Sequence, residues 1–243
     1  MLEAAAWGAV GGVALLLGAG AGLLFRLPLK VVSLITAFGA GVLISAVSFE
    51  LTAEAYEGGG AGAVAIGLGL GAVVYSLANA AVHRRGGRNR KSPEWKGEEE
   101  DESASGLVVG SVLDGIPESV VIGLSLLEQG KVSGAVVASV FLSNVPEALA
   151  ATPGLRKEVG APKVLVLWSA IMLVSAASAA LGYGLLSPDS EGTIALVQSF
   201  AAGAVICMLA DEMFAKAAKH GGQWTGLVTV LGFAVAFLLT TLE

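Results

Sequence analysis

The sequence predicts an all-α integral membrane protein: eight transmembrane helices in a 3+2+3 inverted-repeat arrangement. Three observations predict it. The 243 residues are 55% hydrophobic with a mean hydropathy of +0.78, and only 14% are charged, whereas soluble domains carry about 25%. Eight apolar runs each reach the roughly 20 residues that cross about 30 Å of hydrocarbon as helix. Two pairs of those runs repeat each other's sequence while crossing in opposite directions.

The runs lie near residues 4–25, 31–57, 61–82, 105–127, 132–153, 163–186, 192–219 and 223–242, and together form one transmembrane domain over 1–243. In the first run, Glu3 is the only charge before Arg26. It lacks the basic start of a cleaved leader and is expected to stay as a helix. Strands are not expected, because the alternating pattern of a membrane barrel is absent. Glycine pairs four apart, Gly8/Gly12, Gly18/Gly22 and Gly67/Gly71, would let helices approach closely. A dinucleotide loop, the other use of such glycines, needs a preceding soluble strand.

Positive charge orients the spans. If they alternate, thirteen of the fourteen Lys and Arg fall on one side, and only Lys131 on the other. The positive-inside rule then puts both termini outside and the 83–104 loop in the cytoplasm. The setting expected is the inner or plasma membrane of a prokaryotic cell. The loop switches from basic to acidic and reads as a flexible linker. Its acids, Glu98, Glu99, Glu100, Asp101 and Glu102, are a weak candidate for gathering cations. The net charge of −6 and pI near 5.0 argue against a nucleic-acid partner. Cys207 is alone, so no intrachain disulfide forms.

Span four contains SGLVVGSVLDGIPES and span five SGAVVASVFLSNVPEA. Span two recurs in span seven at an offset of 162: Phe38, Gly41, Ile44, Glu50, Gly59 and Gly60 reappear as Phe200, Gly203, Ile206, Glu212, Gly221 and Gly222. Where the copies differ, Glu54 and Glu57 become Lys216 and Lys219, in keeping with their opposite sides. Oppositely oriented repeats are a signature of secondary transporters, whose substrate sits near the midplane.

The polar residues inside the spans carry the chemistry. Asp114 and Glu118 are four apart and share a face of span four, and Asn144 and Glu147 are three apart on span five. An acid at mid-membrane costs about 2.5–3.5 kcal/mol on insertion scales. No Lys or Arg is expected at that depth, so a bound cation would supply the missing charge. Pro117 and Pro146 release the carbonyls of Leu113 and Leu142, which would add oxygen ligands. Oxygen donors suit Mg²⁺, Mn²⁺ and Fe²⁺ and can hold Zn²⁺. His83 and His220 fall in cytoplasmic segments and offer no midplane imidazole. Glu50 and Glu54 toward the outer end of span two, and Asp211 and Glu212 toward the inner end of span seven, are candidate relays.

These features resemble the Zrt/Irt-like (ZIP) family of divalent metal transporters. The likeness rests on Asp-Gly-Ile-Pro-Glu at 114–118, Ser-Asn-Val-Pro-Glu at 143–147, eight spans with outward termini, a loop after span three, and span seven. The family's His-Asn-x-Pro-Glu becomes Asp114, Gly115 and Glu118 here. Ser143 and Asn144 stand where it carries two stronger ligands, and Ser175 stands near its span-six acid. The resemblance implies a leaner, all-oxygen site for a transported divalent cation, with no cofactor. It also implies motion of spans one, four, five and six against two, three, seven and eight, and a candidate homodimer.

An intramembrane enzyme is disfavoured, since no HExxH motif, no membrane histidine and no partner aspartate for Asp114 are present. The expectation is therefore a ZIP-like transporter moving a divalent metal into the cytoplasm. Its metal residues would be Asp114, Glu118, Glu147, Asn144 and Ser143. Carboxylates must deprotonate to bind metal, so uptake should weaken at low pH. The alternative is a ZIP-fold protein that moves another solute or no longer moves metal.

Overall fold

The computed structural model describes residues 1–86, 104–187 and 190–242. All regular structure among them is helical. The chain begins with α1 (Leu2–Leu24). Next comes α2 (Leu29–Ala46), which passes through a π-helical turn (Val47–Thr52) into α3 (Ala53–Gly86). Then follow α4 (Ala104–Gln129), α5 (Gly134–Val159) and α6 (Ala161–Gly184). Last, α7 (Glu191–Met208) passes through a second π-helical turn (Leu209–Met213) into α8 (Phe214–Gly221). A 3-10 turn (Gly222–Trp224) leads from there to α9 (Thr225–Thr240). The acidic stretch 98–102 and most of the 83–104 loop lie outside the described residues.

Six helical stretches, not eight, are long and apolar enough to cross a membrane among the described residues. Two of them, Leu29–Val82 and Glu191–Thr240, run for 54 and 50 residues. A straight helix of 50 residues would be about 75 Å long, more than twice the hydrocarbon thickness. Neither run is straight. Gly60 (φ 68°, ψ 178°) breaks the first and Gly222 (φ 65°, ψ −149°) the second. Only glycine takes such angles without strain, and the two stand 162 residues apart. No loop separates 31–57 from 61–82 or 192–219 from 223–242; each boundary is marked only by a positive-φ glycine, the second followed by a 3-10 turn.

Glycines also set how the helices pack. A Cβ at Gly8 or Gly12 would collide with Ala179 or Met172 of α6, and one at Gly18 or Gly22 would press on Val145 or Thr152 of α5. Gly67 and Gly71 lie against Ser199 and Phe200 of α7. All three glycine pairs thus serve helix crossings, where small residues let backbones meet. The crossings are themselves duplicated. Gly41 of α2 meets the Thr229 carbonyl of α9, while Gly232 of α9 meets that of Phe38. Likewise Gly203 of α7 meets the Leu68 carbonyl of α3, and Gly71 of α3 that of Phe200. Between α4 and α6, Gly123 and Gly182 close on the carbonyls of Ala179 and Val120.

The core divides accordingly. One cluster gathers Leu43, Val47, Ile122, Val140, Val205 and Leu209, joining α2, α4, α5 and α7. A second holds Leu15, Leu155, Trp168 and Ile171, joining α1, α5 and α6. Trp168 is fully buried and donates its indole N–H to Thr152 at 3.1 Å. The periphery, by contrast, exposes large apolar side chains such as Leu77, Val166, Leu173, Val230 and Leu231. A water-facing protein would cover surface of this kind. Long apolar helices with an apolar periphery are consistent with an integral membrane protein.

Candidate functional site

The helices α4 and α5 run through Pro117 and Pro146 without a break. The Leu142 carbonyl opposite Pro146 faces α2: a Cβ at Gly39 would stand 3.3 Å from it and 3.0 Å from the Pro146 ring. Asp114 and Glu118 are buried on one face of α4, at 6% and 5% exposure. Glu147 of α5 is within electrostatic reach of both. Asp114 and Glu118 thus share the buried face of α4, with Glu147 on the neighbouring helix.

The environments of their oxygens differ. Oε2 of Glu118 and Oε1 of Glu147 are fully enclosed and have no hydrogen-bond partner. A buried carboxylate oxygen left unpartnered is expensive, at about 1–3 kcal/mol or more. Such atoms are rare in native interiors. Glu147 also accepts a hydrogen bond from the Ser111 hydroxyl. Asp114 accepts a hydrogen bond from the Tyr75 hydroxyl at 2.8 Å. Oε1 of Glu212, on the second π turn, lies 3.3 Å from the same hydroxyl, whose one proton serves the closer acid better. The other Glu212 oxygen pairs with Lys216 at 2.9 Å.

Ser143 and Asn144 are buried, but both spend donors on backbone. Ser143 donates to the Val140 carbonyl at 2.9 Å, and the Asn144 amide to the Gly11 carbonyl of α1 at 3.1 Å. Asn144 thereby ties α5 to α1. Ser175 of α6 faces Gly115, with its hydroxyl 3.5 Å from where a Cβ would stand.

The relay candidates separate into two groups. Glu50, on the first π turn, is 5% exposed and accepts from Ser133 at 3.2 Å. It shares with Glu118 the lining of a cavity of about 20 Å³, to which Ser139 and Val136 also contribute. The surface exposed to that cavity is apolar, the kind of space that stays dry. The Gln198 amide donates to Glu128 at 2.6 Å and lies 3.4 Å from Glu54. On the second π turn Glu212 faces inward as described, whereas Asp211 is exposed.

Sequence reasoning missed Tyr75, Lys216, Ser111, Ser139 and Gln198. The serines had a signal, since Ser111 and Ser139 occupy equivalent places in the span-four and span-five repeat. Tyr75 had none, because periodicity does not say which helix α3 faces. Lys216 corrects the expectation that no cation reaches the acids, being within electrostatic reach of Asp114 and Glu147. Among the described residues, no three His, Cys, Asp or Glu side chains converge on one point fit to hold a metal. What the arrangement offers instead is carboxylate pairs supplemented by hydroxyls. Compared with known proteins, the chain matches no family model and no curated protein.

Proposed function

We propose that the chain is a ZIP-like transporter that moves a divalent metal cation into the cytoplasm through a midplane carboxylate site. Asp114, Glu118 and Glu147 are the acids that hold the ion, with Ser143 and Asn144 as neutral neighbours. One observation carries this reading: two carboxylate oxygens, on Glu118 and Glu147, are enclosed without a partner inside membrane-length helices. Leaving them so is costly unless something positive binds there. The family resemblance itself rests on Asp-Gly-Ile-Pro-Glu and Ser-Asn-Val-Pro-Glu in the sequence.

In this reading the two long helical runs each cross the bilayer twice, turning at Gly60 and Gly222. Together with α1, α4, α5 and α6 they make eight spans. The duplicated crossings of α2 on α9 and of α7 on α3 support an inverted repeat around the central pair α4 and α5. The positive charges orient the molecule, with Glu50 toward the outside and Glu212 toward the cytoplasm.

A second reading has one observation in its favour, the lack of a three-acid cluster among the described residues. By that reading the fold carries a different solute or no longer moves metal. Uptake into proteoliposomes separates the two. Zn²⁺, Mn²⁺, Fe²⁺, Co²⁺, Cd²⁺ and Mg²⁺ are offered to the wild type, Glu118→Ala and Glu147→Ala. The transporter reading expects saturable uptake of one or two ions, lost in both variants. Uptake of none would sink it.

A further inference from the structure

The close glycine crossings sort the main helices into two sets. They join α1 to α5 and α6, and α4 to α6, in one set; in the other they join α2 to α9 and α3 to α7. Between the sets, contact is looser. Where Gly39 of α2 approaches α5, an added Cβ would stand 3.0 Å from the Pro146 ring, and aliphatic side chains such as Leu43, Ile122 and Val205 fill the seam. Hydrogen bonds between side chains also cross it. Tyr75 of α3 donates to Asp114 of α4 at 2.8 Å, and the Gln198 amide of α7 to Glu128 of α4 at 2.6 Å. Ser133, just before α5, donates to Glu50 of the first π turn at 3.2 Å. Glu128 and Ser133 flank the turn between α4 and α5, so that turn is tied to the other set on both sides.

Two of these donors have a second acid within reach. The Gln198 amide nitrogen also lies 3.4 Å from Glu54 of α3, and the Tyr75 hydroxyl 3.3 Å from Glu212 of the second π turn. In both cases the closer acid belongs to α4 and the farther one to the donor's own set. Such a donor can lose α4 without being orphaned. This matters for Gln198, which is 2% exposed, because a buried amide with no acceptor is costly. Its partner Glu128 is exposed at the end of α4 and is met by water on release. Both ends of the bond have somewhere to go, so it is exchangeable rather than fixed.

From these observations we infer that Gln198 is a clasp. Its bond to Glu128, with that of Ser133 to Glu50 beside it, holds the α4–α5 turn shut against the other set. Glu54 takes over the amide when the turn swings away. The role of the clasp in transport rests on the reading above, by which this turn lies at the outer end and its release opens the outer path; the opening itself has its own readout. The two ends of the molecule agree with a clasp at this one. Glu50, tied to the turn, is 5% exposed, whereas Asp211 and Lys216 beside Glu212 are open to solvent.

The test is cysteine accessibility in the purified full-length protein. Val136→Cys, in a Cys207→Ala background, puts a thiol in the first turn of α5, at a position 5% exposed and three residues past Ser133. The rate of its modification by a charged methanethiosulfonate reports opening of the turn. Gln198→Leu and Glu128→Ala should each raise that rate at least about fivefold, within the scale of one hydrogen bond to a charged group. Glu54→Ala should lower it, because the open state then lacks its acceptor; a merely structural contact would not give opposite signs. Thr152→Val removes the Trp168 bond inside one set and should leave the rate within about twofold of the parent. Unchanged rates in Gln198→Leu and Glu128→Ala, or an equal rise in Thr152→Val, would overturn the clasp and leave the transport reading standing. A rise with Glu54→Ala would overturn the hand-over. If the labelling follows the expected pattern but the wild type takes up no metal, the clasp stands and the transport reading falls.

Discussion

The two π turns invite direct comparison. Val47–Thr52 and Leu209–Met213 interrupt equivalent helices at equivalent points, and each delivers a glutamate to the polar centre. Interruptions of this kind concentrate at functional sites, because an extra residue per turn redirects side chains. Beyond that the turns part company. Glu50 accepts from Ser133 and borders a small apolar cavity that Glu118 also lines, whereas Glu212 meets Tyr75 and Lys216. The backbone is duplicated and the charge is not. On the transport reading, a symmetric scaffold would become directional because one copy keeps an acid, Glu54, where the other carries a lysine, Lys216.

Restoring the symmetry is the strongest way to break that comparison. Lys216→Glu installs the residue of the equivalent position and removes the 2.9 Å ion pair with Glu212. On the transport reading, Glu212, freed of its lysine, would then retain a cation instead of passing it on. Proteoliposomes should show a several-fold lower maximal uptake rate, with more metal retained per chain. An unchanged rate would mean that the charge difference between the turns has no part in transport.

The glycine crossings sharpen the comparison with a smaller effect on stability alone. Gly71 closes on the Phe200 carbonyl, so Gly71→Ala should destabilise the detergent-solubilised protein by about 1–3 kcal/mol, the usual range for overpacking. Gly69, two residues away, is exposed and has nothing within reach of an added Cβ. There, Gly69→Ala should be neutral or stabilising by up to about 1 kcal/mol through helix propensity. Thermal unfolding measures both, and equal shifts would show that the crossing is not close-packed.

Much of the centre was legible in the sequence because it depends on short-range spacing. Asp114 and Glu118 had to share a helix face, and an apolar chain with acids at mid-span had to bury them. The repeat offset of 162 also foretold that Gly60 and Gly222 would act alike. It did not reveal that each would interrupt a continuous helical run without a loop, since that depends on backbone angles that only the packed structure selects. The π turns were hidden for the same reason. Residues that meet across helices were harder still. Asn144 shares a face pattern with Glu147, yet its amide goes to Gly11 of α1. Tyr75 reaches Asp114 across 39 positions of sequence. Such pairs follow from which glycine-lined helices cross, and periodicity within one helix is silent about its neighbours.

The central claim is that the enclosed acids hold a cation, and the most direct measurement is to locate one. Crystals grown with Mn²⁺ or Zn²⁺, with data collected at the metal's absorption edge, would show the ion by its anomalous scattering. The account predicts a peak within about 2.0–2.6 Å of a Glu118 carboxylate oxygen, the range of metal–oxygen bonds. Peaks confined to surface acids, with Glu118 and Glu147 engaged only by protein or water, would contradict it.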